Sequence, residues 1–168
     1  MKRLLLVSVV LPLLGLIALI GRAELNLRGG RPWVLPITGY DPRDLLSGHY
    51  IRYRYDLQWD GLDSCGDQPG AIDPACCLCL QPREGTREPW ARNVACSDVD
   101  RCLSWVPGSA AAGEQRFFVP AERGAALEAA IRSRSAAILA SITADGTLAV
   151  DTLLLDGKPW QEALDATP

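Results

Sequence analysis

Few of the side chains that move protons near neutral pH occur in this sequence. Its 168 residues include a single histidine, His49, and only two lysines, Lys2 and Lys158. A histidine relay or a lysine nucleophile therefore has almost no candidates. There is no phosphate-cradling glycine loop, and no EF-hand spacing with its central glycine and final glutamate. Asp60, Asp63, Asp67 and Asp73 accordingly read as turn formers and not as calcium ligands. Positive charge is also scarce. Setting aside Lys2, Arg3 and Arg22 leaves 14 basic and 20 acidic side chains in residues 23–168, a net of −6. Such a surface is repelled by phosphate backbones and anionic lipids, which argues against nucleic-acid binding.

What the chain does hold is one long apolar run. Met1-Lys2-Arg3 is followed by Leu4 to Ile20, broken only by Ser8, Pro12 and Gly15. As a helix this run reaches roughly 25 Å, a little short of a hydrocarbon core of about 30 Å. It has no polar face, so a helical run would need apolar surroundings on every side. It is also longer than the apolar region of about 7–15 residues found in cleaved secretory signals. A cleaved signal stays open, because Gly21-Arg22-Ala23 offers a small-x-small site with an awkward arginine. The expectation is a signal anchor and transmembrane helix at residues 1–22, with residues 23–168 as a single exported domain. Pro12 would kink the span without forbidding it. Lys2 and Arg3 on one side and Arg22, Arg28 and Arg31 on the other nearly balance, so flanking charge does not set the orientation.

The cysteines give a direction. All six lie between Cys65 and Cys102, namely Cys65, Cys76, Cys77, Cys79, Cys96 and Cys102. An even number within a Pro-, Gly- and Asp-rich stretch of an exported chain reads as a disulfide framework in an oxidising compartment. The sequence leaves the pairing open. Adjacent Cys76 and Cys77 are poor partners for each other, whereas Cys96 and Cys102 enclose a short loop and make a plausible pair. Cys76 and Cys79 also form a C-x-x-C, which in other settings binds zinc or shuttles disulfides. A zinc ribbon needs a second close pair, and a redox motif sits at a helix start in a βαβ unit. Cys76 instead follows Ile72-Asp73-Pro74, and no helical period follows it. A thiol-redox or metal-binding envelope protein using this cluster stands as the alternative function.

The remaining pattern predicts an α+β domain with a mainly antiparallel sheet, one helix and a cysteine-rich loop over residues 65–105. Trp33 to Thr38 reads as a first strand, placed at an edge by Pro36. From Gly48 the chain alternates, with His49, Ile51, Tyr53, Tyr55 and Leu57 on an inner face and Tyr50, Arg52, Arg54 and Asp56 on the outer. An alanine-rich linker follows Pro107-Gly108-Ser109, and Arg116 to Val119 forms a short strand. Ala121 to Arg134 has helical spacing behind Pro120. Ala137–Thr143 and Thr147–Leu155 are strands around Asp145-Gly146, a strong hairpin signal. Asp156 to Trp160 turns the chain before a polar tail.

The stretch Gly48-His49-Tyr50-Ile51-Arg52-Tyr53-Arg54-Tyr55 resembles the signature of the GDYXXLXY proteins, small membrane-anchored bacterial proteins of unknown activity. Gly48, Tyr50 and Tyr55 match that signature; His49 stands where the family has aspartate, and Tyr53 where it has leucine. The apolar leader, Asp41-Pro42-Arg43-Asp44-Leu45-Leu46, Phe117-Phe118-Val119-Pro120 and the hairpin near Asp145-Gly146 are similar to the family in the same order. The resemblance implies membrane attachment and an exported domain; with the leader and the cysteines, the expected location is the inner (cytoplasmic) membrane, single-pass, with the C-terminal domain in the periplasm or extracytoplasmic space. It also implies frequent pairing with a multi-spanning membrane protein, and brings no catalytic residue; the residues themselves lead to no expected metal site or cofactor. The segment from Asp41 to Tyr50 also resembles the region after the serine nucleophile of type I signal peptidases. Tyr40 occupies the serine's place, however, and Lys158 is the only lysine of the exported part, so a Ser–Lys dyad is missing. These readings converge on a non-catalytic accessory or binding module of the bacterial envelope.

Overall fold

The computed structural model describes residues 2–40 and 50–166. A long helix, α1 (Lys2–Gly29), leads through Gly30 alone into β1 (Arg31–Tyr40). There follow β2 (Tyr50–Tyr55), β3 (Gln58–Trp59), β4 (Cys77–Gln81), β5 (Trp90–Val94), a 3-10 turn (Val99–Arg101) and β6 (Ser104–Pro107). The chain continues through α2 (Gly108–Ala111), β7 (Gln115–Phe118), α3 (Ala121–Ser133), β8 (Ala136–Ile142), β9 (Leu148–Leu155), β10 (Lys158–Pro159) and α4 (Trp160–Asp165). Two sheets result, one of six strands in the order β10-β9-β8-β1-β2-β7 and one of four in the order β3-β5-β4-β6. Every pairing is antiparallel except β3 with β5. The expected α+β architecture with a mainly antiparallel sheet is therefore present.

Several expectations need correction. β1 is not an edge strand; it lies between β8 and β2. Its prolines are tolerated because β2 pairs only from Ile37 onward, while β8 pairs Arg31 to Pro36. The Val34 N–H points away from β8, donating to the Arg87 carbonyl at 3.3 Å. Strand alternation turns the nitrogens of Pro32 and Pro36 to that same unpaired side, where no ladder bond is lost. The cysteine-rich segment is not a loop held only by sulfur, since β4 and β5 lie inside it and build the smaller sheet with β3 before it and β6 at its end. The alanine-rich linker contains α2. The polar tail is α4, which buries Trp160 and Ala163, so a single helix undercounts the fold.

The six-stranded sheet has one strongly buried face. Register places Trp33, Leu35 and Ile37 beside Ala140, Ile138 and Tyr55, with Ile51 and Tyr53 on the same side. Leu127, Ala130 and Ile131 of α3 join this face, as do Trp160 and Ala163 of α4. The smaller sheet contributes Leu78, Leu80, Ala91 and Val106 to the same contiguous core. A polar bond crosses between the sheets: buried Trp33 Nε1–H donates to Ser104 Oγ at 3.0 Å. An unpaired indole N–H would cost on the order of 1–3 kcal/mol there.

The two hairpin turns follow their local chemistry. Asp145-Gly146 joins β8 to β9 as expected, with the Gly146 N–H donating to the Thr143 carbonyl at 3.0 Å. Gly146 has φ +82°, and a Cβ there would lie 2.6 Å from the Trp105 ring. Glycine is thus required twice, for conformation and for contact. Between β9 and β10, Asp156 and Gly157 both take positive φ, as a two-residue type I′ turn demands.

Candidate functional site

The signature strand is the natural place to look for chemistry. Gly48, His49 and the segment Asp41 to Leu46 lie outside the described residues; Tyr50, Tyr53 and Tyr55 lie within them. Tyr53 and Tyr55 are two apart on β2, so the pleat sends both inward. Their rings meet edge to face at 5.5 Å. Burial pushes the Tyr53 hydroxyl above its ordinary pKa of 10.0. Burial raises Tyr55 further still, helped by the neighbouring Tyr53 hydroxyl. Such phenols stay protonated and serve packing; they are poor bases.

Tyr50 departs from expectation. It points to the outer face yet is only 8% exposed. Its ring lies 5.9 Å from Phe118, and the Arg116 guanidinium sits 5.0 Å from its centroid. Cross-strand pairing explains this, because β7 sets Phe118 directly opposite Tyr50. On the same face Arg52 and Arg54 pair with Glu114 at 3.3 and 3.5 Å. The described signature residues are thus occupied in holding strands together.

The cysteines occupy a second centre. Cys65 bonds Cys76, Cys77 bonds Cys96, and Cys79 bonds Cys102. The Cys96–Cys102 pairing suggested by their short spacing does not occur. Strand geometry explains why. Along β4, Leu78 and Leu80 face the main core, so Cys77 and Cys79 face the opposite side. There they meet Val94, Val99, Cys102 and Trp105 in a small separate core, and each takes its partner from a different chain segment. Cys76 and Cys79 belong to different disulfides, and no cysteine is free. The C-x-x-C spacing therefore makes no dithiol pair. Among the described residues no group of three or more His, Cys, Asp or Glu side chains is placed to hold a metal ion.

The loop aspartates act as turn formers where their bonds are seen. Asp60 accepts from the Leu62 N–H at 2.9 Å and pairs with Arg92 at 3.6 Å. Asp73 accepts from the Ala75 N–H at 2.8 Å. Buried Asn93 organises the loop: its N–H donates to Asp63 at 2.6 Å and its amide to the Ala71 carbonyl at 2.8 Å.

One feature gave no sequence signal. A groove of about 390 Å³ opens where α1 meets the domain, between Gly29 and Arg31 on one wall and Val99, Asp100 and Cys102 to Trp105 on the other. Ile142 to Ala144 close its end. Three segments far apart in the chain build it, and no local pattern announces such a meeting.

α1 is a continuous helix through the candidate cleavage site at Gly21 to Ala23. Its side chains are described from Val10 to Leu25 and at Gly29. Among these described residues no helix is long and apolar enough to cross a membrane. Within them Leu11, Leu13, Leu14, Leu16, Ile17, Leu19 and Ile20 are each at least 51% exposed. At about 100° per residue these positions point in every direction around the helix.

Neither a curated protein nor a solved structure matches the chain. The GDYXXLXY protein family matches residues 12–153, most of the chain, and the chain belongs to that family.

Proposed function

We propose that this protein is an accessory or binding module of the bacterial envelope. In this reading α1 is a retained single-pass anchor in the inner membrane, and residues 23–168 form one domain on the periplasmic side. The observation that carries it is a helix exposing apolar side chains on all sides, joined directly to a domain stapled by three disulfides. In water the exposed side chains lack the favourable burial worth about 25 cal/mol per Å² of apolar surface. Disulfides persist where the compartment is oxidising. The residues preceding Val10 extend the apolar run to Leu4, which supports a span of roughly 25 Å.

The module has no catalytic role in this reading. Its signature tyrosines pack strands, and its cysteines are all bonded to one another. Its partner is a multi-spanning membrane protein, as the family resemblance implies. A C-terminal reporter that is active only in the cytosol tests the orientation: it stays dark in the full-length, membrane-inserted chain. Mild solubilisation tests the partner, with a single stoichiometric membrane protein expected to co-purify. A clean monomer would contradict the accessory role.

A further inference from the structure

The groove at the foot of α1 lies on the path of anything that runs beside the helix. Leu11, Leu14, Ala18, Gly21 and Leu25 are all exposed, and their three- and four-residue spacing places them along one helix face. Gly29, one turn beyond Leu25, lines the groove itself, so that face runs straight into it. Across the groove Leu103 is 41% exposed, and Leu25 is 72% exposed. The junction cannot easily swing shut over them. Gly30 is the only residue between α1 and β1, and a Cβ there would sit 2.9 Å from that of Ser141.

Height narrows the choice of occupant. From Gly21 to Gly29 the helix climbs about 12 Å past the apolar run, at about 1.5 Å per residue. Headgroups occupy only about 5–8 Å of each leaflet outside the hydrocarbon core. With α1 in the bilayer, the groove lies beyond the reach of acyl chains. A protein segment rising from the membrane alongside α1 can reach it, with apolar side chains for Leu25 and Leu103. It would also bring polar groups for Arg31 and Asp100, which line the same groove.

We propose that this groove receives the outer end of a partner's membrane-spanning helix running beside α1. The inference rests on the membrane-anchored accessory reading and gives that partner a site on the chain. To test it, a photo-crosslinking amino acid is placed at Leu25, Leu103 or Leu62 of the full-length protein in its own membrane. Leu62 is 65% exposed on the distant Asp60–Asp63 loop and serves as the control. Leu25 and Leu103 are expected to crosslink one membrane protein, at residues just outside one of its spanning helices; Leu62 is not. In parallel, Leu103→Asp is expected to lower the co-purified partner about tenfold, a loss of about 1.4 kcal/mol, while Leu62→Asp leaves it unchanged. Adducts only to lipid or to a second copy of this chain would overturn the proposal, as would a partner crosslinked from Leu62 instead. If a partner co-purifies but maps elsewhere, the groove assignment falls and the accessory reading stands. If nothing co-purifies and nothing crosslinks, both fall.

Discussion

Arg52, Tyr53, Arg54 and Tyr55 alternate in charge and aromaticity, and the period-2 pleat decides what each of them does. The arginines go outward to Glu114, while the tyrosines go inward to a core with little water. That burial links Tyr53 and Tyr55 to alkaline stability. A phenol whose pKa is higher folded than unfolded stabilises the fold fully below its unfolded value, here about 10.0. The contribution fades as pH climbs from there towards the folded-state values. Melting temperature should therefore fall above pH 10, and Tyr55→Phe, which has no proton to lose, should fall less steeply. Equal slopes in a circular-dichroism melting series would contradict the assignment. At Gly146 the demand is steric. Gly146→Ala places a methyl against the Trp105 ring at a positive φ, and should cost about 1–3 kcal/mol. For a chain of this size that lowers the melting temperature by roughly 2–4 °C per kcal/mol, and an unchanged midpoint would refute the contact. Both roles could be half-read from the sequence: alternation predicts the inward tyrosines and Asp-Gly predicts the turn. Trp105 as the turn's neighbour could not be foreseen, since 40 positions separate it from Asp145 and nothing local joins them.

Elements whose pattern is local were the legible ones. The β8–β9 hairpin and α3 each carry their own period and their own breaker residues, so the expected bounds lie within a few residues of the observed ones. The smaller sheet was hidden for a physical reason. In β4 the Cys-Leu-Cys-Leu sequence is apolar on both faces, so the alternation that marks a half-buried strand is missing. One face is leucine for the shared core, and the other is cysteine whose burial depends on bonds to distant segments. Pairing by short spacing failed because facing direction, not separation along the chain, selects partners. This leads to a graded prediction for the disulfides. Cys79–Cys102 closes a separation of 23 residues within the small core, whereas Cys65–Cys76 closes 11, with Cys65 only half-buried. Replacing Cys79 and Cys102 with alanine should cost about 2–5 kcal/mol. Replacing Cys65 and Cys76 should cost less, since each doubling of loop length adds about 0.6 kcal/mol of closure entropy. Urea unfolding of the two double variants measures the order, and a reversed order would contradict the buried-core account.

Taken whole, the molecule joins two surfaces that suit different solvents. The domain is acidic and closes its own core, while α1 leaves its apolar side chains uncovered along the described stretch from Val10 to Leu25. That contrast underlies the anchoring proposal, and it was the most legible feature of the sequence, because a long apolar run needs no tertiary contact to be recognised. The groove at their junction was the least legible, because it exists only once helix, disulfide-held turn and hairpin have come together. The most direct test of the account combines location with redox state in one sample. Full-length protein is recovered from alkali-washed membranes and denatured without reductant, and its free thiols are alkylated and counted by mass. The account predicts an intact chain in the membrane fraction with none of its six cysteines alkylated. A chain washed free of the membrane, or a membrane-bound chain with all its cysteines alkylated, would contradict it.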